Sequence, residues 1–108
     1  MSTYRFRETP TGIELSIIDG RRIEHHHQFD MDEPFEGERI QIDDLVFDRN
    51  AGEVLDGNRP LDAKVWPEEA LDLYFLFEFQ CRQITNRDVC VALGLIEFNP
   101  REFLDARH

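Results

Sequence analysis

The amino-acid sequence predicts an α+β fold in which an N-terminal antiparallel β-meander, a sheet of four to six strands, packs against a C-terminal three-helix segment. Apolar and polar residues alternate with the period of a half-buried strand in several runs of residues 3–56, and turn residues separate these runs. Three helix-start signals follow after residue 66. The 108 residues are therefore expected to form a single domain, with a β-rich half at 1–58 and a helical half at 66–108.

The first part of the sheet is a meander predicted over residues 3–29. Tyr4 and Phe6 alternate with arginines, which is typical of a strand with one buried face. Asp19-Gly20 suits a two-residue hairpin turn, because such a turn needs positive φ at both positions. The next strand is predicted at 22–31.

The second part of the sheet follows an acidic segment. Residues 30–38 combine five carboxylates with a proline and a glycine, a composition that predicts an exposed loop. Ile40 and Ile42 then alternate in the manner of an edge strand. Two further strands are predicted at 45–47 and 53–55, on either side of a short hairpin turn.

A long apolar helix is predicted over about 67–84. Proline suits the first helical position, and the two glutamates after Pro67 favour the positive end of the helix dipole. Residues 73–77 are apolar all round, which indicates a helix packed on both sides. The alternation through 73–81 also fits a strand, and the helix-start signal favours the helix.

Two shorter helices, predicted near 86–93 and 100–106, complete the helical half. Thr85 and Asp88 have the spacing of a capping box, and Gly94 can end the first of these helices. The second begins at an asparagine followed by proline. The candidate core residues are Phe6, Ile13, Leu15, Ile17, Val46, Phe47, Leu71, Tyr74, Phe77, Val89, Leu93 and Phe103.

The charge of the chain favours a basic partner. It has 23 acidic and 12 basic side chains, a formal net charge of −11 at pH 7 that repels nucleic acid and anionic lipid. No run resembles a signal peptide or approaches the roughly 18 apolar residues of a membrane span, so a cytoplasmic location is expected. Cys81 and Cys90 lack the spacing of a metal or redox motif and are expected to be small buried hydrophobes.

A cluster of carboxylates is the candidate partner-binding site. Carboxylates on alternate strand residues stand roughly 6.6 to 7 Å apart, a spacing that gives a phosphate-like density of negative charge. We therefore hypothesise a non-enzymatic protein-binding module, an inhibitor or immunity protein that occupies a basic, nucleic-acid-handling site on its partner, as phage counter-defence and DNA-mimic proteins do. Trp66 and Phe98, each beside a helix start, are the aromatic residues expected at an interface. Homodimer formation through such an interface is an open alternative. The candidate binding residues are Asp30, Asp32, Glu33, Glu36, Glu38, Asp43 and Asp44.

A divalent metal site is the first alternative. His25 and His27 stand two positions apart on a predicted strand, so both imidazoles can reach one metal ion. Such a site needs a third donor, for which Glu14, Glu24 and Asp30 are candidates. Otherwise no cofactor is expected.

The second alternative is a helix-turn-helix, which residues 84–106 resemble in their pattern of a capped helix, a short connection and another helix. The acidic charge of the domain argues against DNA binding and favours protein contact. No glycine-rich phosphate loop, nucleophile elbow or zinc-protease motif is present, so an enzyme is the less favoured class.

Overall fold

The computed structural model describes residues 2–26, 29–80 and 83–97, without the side chains of His25 and His26. A single 3₁₀ turn at Ala63–Val65 precedes two helices, α1 (Glu68–Gln80) and α2 (Asn86–Ala92). The strands are, in chain order, β1 (Ser2–Thr9), β2 (Gly12–Asp19), β3 (Arg22–His26), β4 (Arg39–Ile42), β5 (Leu45–Asp48), β6 (Glu53–Asp56) and β7 (Arg59–Pro60).

The seven strands form one mixed sheet in the order β3-β2-β1-β4-β5-β6-β7. Two antiparallel meanders, β1 to β3 and β4 to β7, meet where β1 and β4 run parallel, with Thr3 opposite Arg39 and Tyr4 opposite Ile40. The α+β class is confirmed. The prediction of four to six antiparallel strands is wrong in two respects. A seventh strand, β7, pairs with β6 beyond the last predicted strand at 53–55, and β4 pairs with β1 in parallel.

Two strand predictions need correction. The strand predicted at 22–31 is described over Arg22–His26 and does not reach Phe29, which is outside any strand and packs its ring onto Phe6 at a centroid distance of 5.7 Å. The edge strand predicted around Ile40 is the middle strand of the sheet, and the Ile40 side chain is fully buried between its neighbours β1 and β5. Local alternation cannot reveal this position, because it depends on pairing with a strand 36 residues earlier in the chain.

Helix α1 begins where the sequence predicts, after Pro67, whose carbonyl accepts from the backbone N–H groups of Ala70 and Leu71 at 3.1 and 3.2 Å. Ala70, Leu73 and Phe77 turn toward the sheet and are buried. The expectation of packing on both sides is wrong, since the opposite face of α1 is exposed. No helix of the described ranges is long and apolar enough to cross a bilayer.

Helix α2 has the predicted capping box and a Schellman ending. The Thr85 side chain accepts from Asp88 N–H at 3.3 Å, and the Asp88 carboxylate accepts from Thr85 N–H at 2.9 Å. Gly94, at a φ of 75°, donates to Val91, and Leu95 donates to Cys90, both at 3.0 Å. Two helices rather than three are present in the described residues, and the helix predicted at 100–106 lies outside them.

The core lies on the face of the sheet that α1 and α2 cover. Phe47 and Phe77 stack at 5.7 Å with an interplanar angle of 7°. Val46 is a wrong core prediction, because it points to the opposite face of β5 from its neighbour Phe47. The five predicted core residues that are buried are Phe6, Leu15, Phe47, Phe77 and Val89. Four more predicted core residues are partly buried and pack against this cluster: Ile13, Ile17, Tyr74 and Leu93. Leu71 is half-buried outside the cluster, and Phe103 lies outside the described residues.

Trp66 is part of this packing rather than an exposed anchor. Its ring meets the Phe47 ring at 6.5 Å and the Tyr74 ring at 5.9 Å, both edge-on. Its indole N–H donates to the Leu61 carbonyl at 3.1 Å. Phe98, the other aromatic residue expected at an interface, lies outside the described residues.

Candidate partner-binding site

The acidic loop, residues 29–38, is held against the start of helix α2. Asn86 N–H donates to the Glu33 carbonyl at 3.0 Å, and Arg87 N–H donates to the Met31 carbonyl at 2.9 Å. The first N–H groups of a helix have no partner within the helix, so the loop supplies acceptors that α2 requires. Phe35 N–H in turn donates to the Ile84 carbonyl at 2.8 Å, which fixes the far end of the loop.

A buried aromatic side chain anchors the loop from below. Only 2% of Phe35 is exposed, and its ring lies 5.4 Å from Tyr4, 6.1 Å from Phe6 and 6.2 Å from Phe77. Gly37 follows at a point where a side chain has no room, because a Cβ there would stand 2.5 Å from the Phe35 ring. The loop is therefore exposed in its carboxylates and fixed in its backbone.

All seven predicted binding carboxylates are exposed, and they fall into two groups. Five belong to the acidic loop, whereas Asp43 and Asp44 form the turn between β4 and β5. Strand β4 separates Glu38 from Asp43 by a distance on the order of 17 Å, from the rise per residue of a strand. The seven residues are thus brought to the surface without forming one continuous cluster.

The loop carboxylates differ in what they already contact. Asp32 forms an ion pair with Arg87 at 3.3 Å, and Asp30 accepts from the Asp32 N–H at 2.9 Å. Within the described ranges, no basic side chain lies within ion-pair distance of Glu33 or Glu36. The same holds for Glu38 among the described residues, so these three glutamates are the loop carboxylates best placed to meet a charge from outside.

Beside the loop, the structure has an open cleft of about 640 Å³. Strands β1 and β2 contribute apolar side chains that are buried or half-buried, while the acidic loop contributes exposed carboxylates. Asn86 of α2 also lines the cleft, and its side-chain amide donates to the Asp30 carbonyl of the loop at 2.7 Å. The cleft is lined by Tyr4, Leu15, Ile17, Phe29, Asp30, Glu33, Pro34, Glu36 and Asn86.

The cleft combines an apolar and aromatic floor with negative charge. Lysine and arginine have the complementary form, an apolar stem that ends in a cation. The carboxylates were predicted from the sequence, but the apolar floor of the cleft was not. In the sequence, Tyr4 and Phe29 are recognisable only as members of alternating strands. No local pattern signals Asn86, whose contact with Asp30 spans 56 residues.

A second cavity, of about 510 Å³, lies between the β5–β6 turn and α1. Arg49 and Glu78 both line it, so its charges are mixed. The Arg49 guanidinium is already engaged, because it donates to the carbonyls of Phe35 and Gly37 at 3.1 and 3.3 Å. This cavity has no preference for one sign of charge.

The histidine hypothesis falls largely outside the described part of the chain. His25 pairs with Ser16 through the backbone of β3, its side chain is not among those described, and His27 lies outside the described residues altogether. Glu14, one proposed third donor, accepts hydrogen bonds from Arg7 and Ser16 at 3.3 and 3.4 Å. Among the described residues, no group of three potential ligands is placed to hold a metal ion.

Cys90 is fully buried, as predicted, whereas Cys81 lies outside the described residues. Burial raises the pKa of the Cys90 thiol to about 12, against a smaller lowering by the nearby Arg87. The nucleophilic form of cysteine is the thiolate, so Cys90 is not activated at neutral pH.

Only the first helix of the proposed helix-turn-helix lies within the described residues. Helix α2 has seven residues, and the proposed recognition helix at 100–106 lies outside the described ranges. The acidic loop is hydrogen-bonded to the N-terminal end of α2, so exposed carboxylates stand beside the first helix of the proposed motif, where they repel phosphate. Comparison of the chain with protein-family models, with curated proteins and with solved structures finds no match.

Proposed function

We propose that this chain is a small acidic, non-enzymatic protein-binding module whose acidic loop and cleft bind a basic segment of a partner protein. The observation that supports this proposal is the cleft itself, in which exposed carboxylates stand beside an apolar and aromatic floor. A cytoplasmic place of action belongs to the same proposal.

The cleft suits a lysine or arginine side chain of the partner. The stem of such a side chain would pack against Ile17 and the rings of Tyr4 and Phe29, and its charge would meet Glu33 and Glu36. A cation near an aromatic ring gains about 0.5 to 2 kcal/mol, depending on how far it is desolvated. Hydrogen bonds between a cation and a carboxylate are roughly twice as strong as neutral ones.

Two properties of the molecule assist such binding. The loop backbone is already held by hydrogen bonds to Ile84, Asn86 and Arg87, which reduces the entropy lost when a partner docks. The net charge of −11 accelerates encounter with a basic surface. A basic site that normally contacts nucleic acid fits both properties, so the inhibitor or immunity class is the specific form of the proposal.

The experiment begins with recovery of partners from a lysate of the source organism, at low and at high salt. The affinity of the recovered protein is then measured for the wild type and for a loop variant in which Asp32, Glu33, Glu36 and Glu38 are changed to Asn or Gln. Asp30 is left intact, because its carboxylate and carbonyl both stabilise the loop.

A matched variant controls for net charge. It changes Glu8, Glu24, Asp56 and Glu97, which are also exposed and lie outside the seven candidate binding carboxylates, and it removes the same four charges. We expect at least about a tenfold loss of affinity in the loop variant beyond that in the control, because contact charges act at short range. Binding that is insensitive to salt and equal in all three proteins would refute the proposal.

A further inference from the structure

Helix α1 exposes two large aromatic side chains on the face that points away from the sheet. The exposed fraction is 64% for Phe75 and 84% for Phe79. The two stand four residues apart, so they are neighbours on one side of the helix. Large apolar groups that share an exposed patch in this way usually mark an interaction surface.

Acidic residues surround this pair. Helix α1 contains Glu68, Glu69, Asp72 and Glu78 and no basic residue. Asp72 lies three positions before Phe75, and Glu68 lies a further turn back, so both belong to the exposed side. The surface, which we name the Phe75–Phe79 face, is therefore apolar at its centre and negative at its edges.

The charge of this face decides between possible occupants. A second copy of the chain would bring a second set of the same carboxylates against the first, and like charges placed together oppose binding. A segment with apolar residues along one side and basic residues beside them complements both parts of the face. An amphipathic helix has this arrangement, with apolar residues at intervals of three and four.

We infer that the Phe75–Phe79 face binds a basic amphipathic helix of a partner protein. This inference goes beyond the proposed function, since the face lies on the side of α1 opposite Phe77, which packs toward the acidic loop through Phe35. The apolar side of the partner helix contacts Phe75 and Phe79, and its lysines or arginines meet Asp72 and Glu78.

The test uses two peptides of leucine and lysine with identical composition. One places leucine at helical spacing along one side, and the other has a shuffled order without an apolar side. Each is titrated into the isotope-labelled full chain, and backbone amide shifts report where it binds. We expect the helical peptide to bind at least about tenfold more tightly than the shuffled one, with the largest shifts in α1, because buried aromatic anchors dominate such interfaces.

Variants distinguish binding at the Phe75–Phe79 face from a general attraction between the acidic chain and the basic peptide. The double change Phe75→Ser and Phe79→Ser is expected to reduce the affinity of the helical peptide to that of the shuffled one. Val65→Ser is the control, because Val65 has the same exposed fraction as Phe75, 64%, and lies outside α1. A second variant, Asp72→Asn with Glu78→Gln, preserves both rings and is expected to weaken binding mainly at low salt.

Several outcomes would overturn the inference. Equal affinity for the two peptides would do so, as would unchanged binding by a folded Phe75→Ser, Phe79→Ser variant. A dimer that this double change dissociates would identify a second copy as the occupant, and ring contacts of Phe79 with residues 98–108 would identify the chain's own end. The acidic-loop variant is expected to keep its preference for the helical peptide, so failure of the proposed function and failure of this inference give different results.

Discussion

The guanidinium carbon of Arg49 lies 5.2 Å from the centre of the Phe77 ring. The same side chain donates to the backbone carbonyls of Phe35 and Gly37. Arg49 thereby joins three parts of the molecule: the acidic loop, the turn after β5, and helix α1. The position of the loop depends on a residue outside it.

Arg49→Lys should lower the free energy of unfolding by about 1 to 3 kcal/mol, because lysine cannot reproduce the planar contact with the ring together with two directed hydrogen bonds. Urea unfolding measures this change, and hydrogen exchange at the Phe35 amide should become faster. Arg22→Lys is the control and should change stability by less than about 0.5 kcal/mol, since 80% of the Arg22 side chain is exposed. Equal effects of the two substitutions would contradict the role assigned to Arg49.

Gly37→Ala should destabilise the fold through steric crowding. The added Cβ would stand 2.5 Å from Cζ of Phe35 and 2.8 Å from Cδ1 of Tyr4. Crowding of this kind in a packed region costs about 1 to 3 kcal/mol, which chemical unfolding measures directly.

A double-mutant cycle identifies the cause of that loss. Phe35→Leu removes the atom nearest to the new Cβ, so Gly37→Ala should cost less in that background than in the wild type. If the cost is the same in both backgrounds, the Phe35 ring is not what excludes a side chain at position 37.

The stability of the protein should fall at alkaline pH in a way that depends on Cys90. The folded state keeps this thiol protonated to a pKa of about 12, whereas the ordinary pKa is 9.0. Between these two pH values the unfolded chain binds fewer protons than the folded one, so the free energy of unfolding decreases as pH rises. The limiting slope for one group is about 1.4 kcal/mol per pH unit.

Cys90→Ala separates this effect from other groups that titrate at high pH. We expect the stability difference between the wild type and this variant to be constant below pH 9.0 and to shift against the wild type above it. Denaturant unfolding at a series of pH values provides the measurement. A difference that does not vary with pH would show that the thiol ionises as easily in the folded state as in the unfolded one.

The features that the sequence predicts correctly are those determined by near neighbours. The capping box at Thr85 and Asp88 and the start of α1 after Pro67 each depend on residues a few positions apart. The hairpin turn predicted at Asp19-Gly20 is wrong by one residue, because Asp19 pairs with Arg22 and the turn is Gly20-Arg21, with positive φ at Gly20 alone. The parallel pairing of β1 with β4 depends on no such pattern, and the burial of Ile40 follows from that pairing.

The candidate site also has a part that the sequence predicts and a part that it does not. Its carboxylates form a run in the sequence, and their exposure is predicted by the polar composition around them. The floor of the cleft brings Tyr4, Ile17 and Phe29 together from three separate segments, so it exists only after the sheet has formed. The histidine hypothesis stays a prediction, because the side chains of His25 and His27 are not among those described.

The parallel contact between β1 and β4 also bears on how the chain folds. Thr3 and Arg39 pair across 36 positions, whereas the strands on either side of this contact are joined by short turns. Short turns close quickly, and contacts between distant residues form late because of the entropy that their closure removes. We therefore expect two local meanders to form early and the meeting of β1 with β4 to limit the folding rate. The acidic loop, which spans this gap, would then acquire its folded conformation only in the last step of folding.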